Sequence, residues 1–391
     1  MTIRMSRREM VAGTVMLSGV ALTGCAPGGT STPDWLNAWA ETRLQDFNLT
    51  GMTAGLALPG GQVLAAAAGL SDRDTGEVMR PDHLMQAGST GKTFVAASAA
   101  KLILDGRLNP DAPISTWLSD RPWWNDLAHR DAITVRHCLT HRTGLVEYLE
   151  QPGFGPLHAD RLTNDPDRPI LSDESLPLAI AAGPLFTPGE SFSYADTNYL
   201  LAGLVIEAVT GERYESFVIR EILEPHRLMG GIVPATQRHI PGLASSRMES
   251  PPFGLPQTCA QDETLVMHPM TEWTGGGMAT RAGDLARWGR LWFGGNVFSG
   301  DYLTLISDAE PGSGVIVREG EDWRYGMACE CRVSPGPALI GHRGWFPAYM
   351  SVLAYRDDLD IAAALQFNTV PSVPDLYQLA ETLIERAALD A

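Results

Sequence analysis

Only five cysteines occur in the 391 residues, at positions 25, 138, 259, 329 and 331. Their spacing does not form a disulfide framework, and His342 does not complete a zinc-like cluster with them, so no metal site and no cofactor are expected. Cys329 and Cys331 lie two apart, on what reads as one strand, where their side chains face the same side and are poorly placed to bond to each other. Positive charge is also scarce. Lys and Arg total 29 against 46 Asp and Glu, a formal charge of −17. So acidic a chain excludes nucleic acid as a partner, and excludes attachment to anionic lipid by charge alone. No internal repeat or coiled-coil heptad is present. The apolar stretch from Met10 to Leu22 is too short for an ordinary membrane span and is interrupted by Gly13, Ser18 and Gly19.

That stretch has another reading. Arg4, Arg7 and Arg8 precede it, giving the basic start and apolar centre of an export signal over residues 1–24. Ser6-Arg7-Arg8-Glu9-Met10-Val11 resembles a twin-arginine signal, with Met10 where a stronger match has Phe. Leu22-Thr23-Gly24-Cys25 resembles a bacterial lipoprotein processing box, which implies a lipid on Cys25. Residues 25–33, rich in Gly, Ser, Thr and Pro, then form a flexible tether to the membrane. The expected location is the cell envelope, on the periplasmic side.

About 360 residues remain, enough for one large two-lobed domain over 34–390. Trp35 to Phe47 has a helical apolar stripe. Met52–Ala57 and Val63–Gly69 flank Pro59-Gly60-Gly61 and read as a hairpin. Residues 106–235 are mostly helices and loops, whereas 146–187 and 236–262 show little periodicity and are expected to be irregular spans rimming a cleft. The last hundred residues return to short apolar runs at 323–329, 338–342, 349–355 and 361–367, closed by a helix from Val373 to Ala388. The fold class is therefore α+β, an α/β sandwich. Segments 34–105 and 265–390 build one antiparallel sheet flanked by helices, and 106–264 form a mainly helical lobe.

One stretch carries the chemistry. Gln86-Ala87-Gly88-Ser89-Thr90-Gly91-Lys92-Thr93 leads into Val95, Ala96, Ala99, Leu102 and Ile103, spaced for a buried helix that starts near Ser89. Ser89 and Lys92 then share one face of its first turn. A phosphate loop would need glycine at position 86, where Gln stands. A capping serine beside a solvated lysine is the bland alternative, and local sequence does not reject it.

Three further segments do. Tyr194-Ala195-Asp196, His342-Arg343-Gly344 and Leu139-Thr140-His141-Arg142-Thr143-Gly144-Leu145 accompany Ser89-x-x-Lys92, together with Gly275-Gly276-Gly277-Met278. In order and spacing they resemble the penicillin-recognising serine hydrolases, in the branch of class C β-lactamases, DD-peptidases and related esterases. The resemblance implies a β-lactamase/transpeptidase-like fold and an acyl-enzyme on Ser89. Lys92 and Tyr194 would pass its proton to the leaving group, and the backbone N–H groups of Ser89 and Trp345 would hold the oxyanion. Asp196, His342, Gly344 and Trp345 would contact substrate, His342 orienting a carboxylate or the Tyr194 hydroxyl. His141 is read as structural. The family usually has Asn at Asp196 and often Lys at His342. These departures favour esters and small acyl substrates, ahead of D-alanyl-D-alanine peptides and then lactams, and a non-catalytic cell-wall peptide binder is the remaining alternative. A monomer is expected.

Overall fold

The computed structural model describes residues 32–308, 320–370 and 375–390. The expected export signal, Cys25 and most of the expected tether lie outside these residues.

The two ends of the chain meet in one eight-stranded sheet. In spatial order it runs Asp322–Tyr325, Glu330–Ser334, Leu339–Phe346, Tyr349–Arg356, Ile361–Phe367, Gly51–Ala57, Val63–Asp72 and Glu77–Val78. The seam between the chain ends is the antiparallel pair that sets Met52 opposite Phe367 and Ala57 opposite Ala362. Gly51–Ala57 and Ile361–Phe367 are buried at every position, so both faces of this central pair must be covered. On one face lie the helices Asp34–Asp46 and Leu376–Ala388, which bury Leu36, Ala40, Leu379, Leu383 and Ile384 against Ala54, Val352 and Leu365. On the other lies the helix Ala282–Phe293. A Cβ on Gly55 would fall 2.1 Å from the Ala282 carbonyl oxygen, so only glycine lets this helix start directly on the strand.

The second apolar core joins that helix to Lys92–Leu104 and Asp196–Thr210. Trp288 stacks on Phe94 with centroids 4.5 Å apart, and its indole N–H donates to Thr93 Oγ1 at 2.8 Å. The serine helix is thereby fixed to the sheet side of the molecule.

Two spans expected to be irregular are ordered. Within 146–187 there are helices at Phe154–Asn164 and Ser172–Ala182, the second with Pro177 in its first turns. Phe154 of the first packs on Phe253, and the second buries Leu176, Ala179 and Ile180 in the core. Within 236–262 the chain pairs Ser246–Arg247 with Thr258–Gln261, and the latter with Thr264–Leu265. Cys138, Cys259, Cys329 and Cys331 are free and buried, with the sulfurs of Cys329 and Cys331 3.6 Å apart.

Candidate active site

Gly88–Gly91 forms a tight 3-10 turn that runs straight into the helix Lys92–Leu104, so Ser89 and Lys92 do share a face. Lys92 Nζ lies 2.8 Å from Ser89 Oγ. It also reaches the Gly275 carbonyl at 2.5 Å and Asp196 Oδ1 at 2.6 Å. These three oxygens surround Nζ, and Lys92 has no exposed surface. Ser89 itself is half-buried and open to the cleft.

Tyr194 closes the group. Lys92 Nζ sits 5.2 Å from its ring centroid. Burial and the neighbouring Asp196 carboxylate push the phenol well above its ordinary range, and the Ser89 side chain opposes them. Its ring is 36% exposed, so solvent tempers the burial effect.

The third motif approaches through its backbone. A Cβ on Gly344 would lie 1.9 Å from the Ala87 carbonyl oxygen, and one on Gly88 would lie 2.6 Å from the Trp345 nitrogen. Glycine at both places lets the strand Leu339–Phe346 run against the serine turn. Ser351 Oγ donates to the Ala87 carbonyl at 2.6 Å and ties the adjacent strand to the same turn. The Trp345 side chain is half-buried at this edge.

His342 does not face the cleft. It is 1% exposed, and its Nε2 is 2.8 Å from the Tyr325 hydroxyl. Its Nδ1 faces the Arg343 carbonyl at 2.6 Å, which can only accept, so Nδ1 carries the proton and Nε2 accepts from Tyr325. The Tyr325 oxygen in turn accepts from His141 Nε2 at 3.2 Å. His141 Nδ1 receives the Ala195 N–H at 3.2 Å and the Asn198 amide at 3.3 Å. Both imidazoles are thus neutral, and burial holds His342 down to about 4 and His141 well below its usual value. The expected role of His342 in orienting a substrate carboxylate gives way to a structural one, because a neutral ring with both nitrogens occupied offers no charge. Arg343 is no substitute, since it is turned to Glu330 in a double hydrogen bond at 2.9 Å each.

Several residues of the site had no signal in the sequence. Glu147 Oε2 accepts the N–H of Asp196 at 2.5 Å, and Oε1 accepts that of Leu149 at 3.1 Å. Thr197 Oγ1 donates to the Val146 carbonyl at 2.6 Å and accepts the Tyr148 N–H at 3.0 Å. The Glu147 bond to Asp196 caps the helix Asp196–Thr210, whose own preceding residue, Ala195, has no side chain able to do so, and the Thr197 bonds tie its first turn to residues 146–148. Burial and Asp196 push Glu147 up to about 8, and burial, Asp196 and Glu147 raise Glu272 well above the usual carboxylate range, with Lys92 opposing. His141, expected to be merely structural, lies against the Tyr194 ring at 4.0 Å and binds the backbone of the same motif.

An antiparallel sheet flanked by helices, with serine, lysine and tyrosine meeting beside one of its strands, defines a class of penicillin-recognising folds. The chain belongs to the Beta-lactamase family, whose sequence model matches residues 36–388. Among curated relatives, it is 34% identical over 195 residues to esterase EstB of Burkholderia gladioli, covering 49% of this chain and 48% of that one. Penicillin-binding protein 4* of Bacillus subtilis is 23% identical over 312 residues, covering 76% of this chain and 64% of that one. The chain therefore spans about half to just under two thirds of these relatives' length. Among solved structures, the D-amino acid amidase of Ochrobactrum anthropi SV3 has a TM-score of 0.72 at 21% identity, over 91% of this chain and 97% of that one. A D-stereospecific amidohydrolase from Streptomyces sp. has a TM-score of 0.70 at 25% identity, over 89% and 98%.

Proposed function

We propose that this chain is a serine hydrolase that forms an acyl-enzyme on Ser89 and acts on small esters. The observation that carries the reading is the 2.8 Å contact between Ser89 Oγ and a fully buried Lys92, with the Tyr194 ring centroid 5.2 Å from the same nitrogen. Nothing in fold stability asks for this trio.

In the proposed reaction Ser89 Oγ attacks the carbonyl carbon, and its proton leaves through Lys92 and Tyr194 to the departing alcohol. The backbone N–H groups of Ser89 and Trp345 stabilise the oxyanion. Water then repeats the sequence in reverse.

Esters rank first for two reasons. Asp196 can only accept hydrogen bonds and is engaged by Lys92 at 2.6 Å, so it offers no donor to a substrate amide carbonyl. The third motif supplies no free cation for the carboxylate of a lactam, because His342 is neutral and Arg343 is paired with Glu330. The likeness to EstB supports the same ranking. D-amino-acid amides or peptides rank second, on the 25% identity with an amidohydrolase named as D-stereospecific. We further propose an exported lipoprotein anchored through Cys25, on the residues of the processing box.

The test is mass spectrometry after exposure to a fluorophosphonate, followed by p-nitrophenyl esters, D-amino-acid amides, D-Ala-D-Ala peptides and nitrocefin. The expected result is one adduct on Ser89, absent in Ser89→Ala, and kcat/KM for the best ester at least about tenfold above nitrocefin. Folded protein that gives no adduct with either a fluorophosphonate or a penicillin overturns the enzyme in favour of a binding module. Radiolabelled palmitate incorporation, lost in Cys25→Ala, tests the anchor.

A further inference from the structure

A cavity of about 750 Å³ opens beside the turn Trp273–Gly275 and is lined by none of Ser89, Lys92, Tyr194, Asp196 or Trp345. Its volume falls in the range of sites for small organic molecules. Three guanidinium groups line it, and each has its own carboxylate. Arg121 pairs with Asp173 at 3.2 Å, Arg213 with Glu215 at 3.1 Å, and Arg238 with Asp167 at 3.0 Å. The seventh charged side chain is Glu207. It accepts the Tyr214 N–H at 3.0 Å, but among the described residues it has no cation within ion-pair distance. Burial raises its pKa and Glu215 adds to this, while the Tyr214 N–H and, from beyond ion-pair distance, Arg213 and Arg121 oppose them, so no cation sits directly against this carboxylate. Trp273 and Leu204 give the same cavity an apolar and aromatic wall.

A carboxylate with no cation in contact, sharing a cavity with an indole, is the chemistry that recognises an organic ammonium, by ion pairing and by attraction to the ring face. The cavity also has a physical link to the catalytic lysine. Trp273 donates its indole N–H to Glu215 Oε1 at 2.7 Å, and its backbone is in the left-handed region at φ 43°. That conformation is costly for a bulky aromatic residue and persists only where neighbours impose it. Two residues on, Gly275 supplies the carbonyl that holds Lys92 Nζ at 2.5 Å. Thr274 between them bonds the Tyr199 carbonyl at 2.7 Å. A ligand that presses on Trp273 therefore acts on a short, taut segment ending at Lys92.

We propose that this cavity is a second ligand site, for a primary ammonium on an apolar or aromatic body, with Glu207 as its counter-charge. Its occupancy is read at Ser89 through Trp273 and Gly275. The binding half stands by itself, and the read-out at Ser89 rests on the hydrolase reading.

The first experiment uses protein blocked at Ser89 by a fluorophosphonate, titrated calorimetrically with phenethylamine, phenethyl alcohol and 3-phenylpropionate. If no adduct forms, Ser89→Ala protein serves. Phenethylamine is expected to bind with a Kd of about 1 mM or tighter, and the neutral and anionic analogues at least about tenfold more weakly. Glu207→Gln keeps an acceptor for Tyr214 and should weaken phenethylamine about tenfold. No phenethylamine binding at about 10 mM, or equal binding of the alcohol, overturns the site, and this comparison needs no variant. With unblocked protein, phenethylamine is expected to change ester kcat at least about twofold, a change that Glu207→Gln abolishes while leaving basal kcat in place. Binding without any such change overturns the link to Lys92. Absence of basal turnover counts against the hydrolase reading and leaves the calorimetric result standing.

Discussion

Removing one oxygen atom should reveal how the second and third motifs are held together. The Tyr325 hydroxyl is wholly buried, 2.8 Å from His342 Nε2 and 3.2 Å from His141 Nε2. In Tyr325→Phe the ring still fills its place among His141, Phe192 and Tyr194. What is lost is an acceptor for the His141 N–H and a donor to the His342 nitrogen. Each group left buried without a partner costs about 1–3 kcal/mol, so the variant should be destabilised by about 2–6 kcal/mol in total. The assay is urea unfolding of both proteins, read as a shift in midpoint at unchanged slope. A second arm separates this account from a general loss of packing. His342→Leu should cost less in the Tyr325→Phe background than in the parent, by about 1–2 kcal/mol, because the two changes remove the same bond. Catalysis should fall as well, since His141 lies against Tyr194. A midpoint shift worth less than about 0.5 kcal/mol, or full additivity of the pair, refutes the bridge.

Three more outcomes follow from the site. Gly344→Ala should lower ester kcat at least about a hundredfold, because its Cβ meets the Ala87 carbonyl at 1.9 Å and must push the strand off the serine turn; steady-state kinetics on folded protein checks this. His342 has a folded value near 4 against an ordinary 6.5, so the unfolded chain binds its proton first. Stability should fall as pH drops from about 6.5 to 4, by about 3 kcal/mol from this group, and urea midpoints should show a shallower fall in His342→Gln. Glu147 is the opposite case: it keeps its proton in the fold up to about 8 but loses it near 4.5 when unfolded. Its contribution should shrink as pH rises across that window, and Glu147→Gln should flatten this limb in the same titration.

The serine turn was legible because its residues are neighbours: a hydroxyl and an amine three apart at the start of a helix need no tertiary information. The closure of the sheet was legible from alternating apolar runs at both ends of the chain. Strand alternation sets Arg343 on the opposite face from His342, where it meets Glu330. The same alternation does not reveal what lies on the other face, which is why His342 was expected to meet substrate and instead meets Tyr325. Glu147 lies 49 residues from the N–H it caps, and an isolated acidic residue after Gly144-Leu145-Val146 carries no mark of that partner. The helix at 154–164 was hidden because Phe154 finds its partner, Phe253, far along the chain, and in the helix at 172–182 Pro177 breaks the local pattern.

The seam joining Met52 to Phe367 has a consequence for how the molecule is made. Its partners are separated by almost the whole length of the chain, so the first hairpin must wait, with one backbone edge unsatisfied, until the last strand has been synthesised. Shortening the chain before residue 361 would leave that edge bare in every copy, and such fragments should associate edge to edge instead of persisting as a smaller working unit.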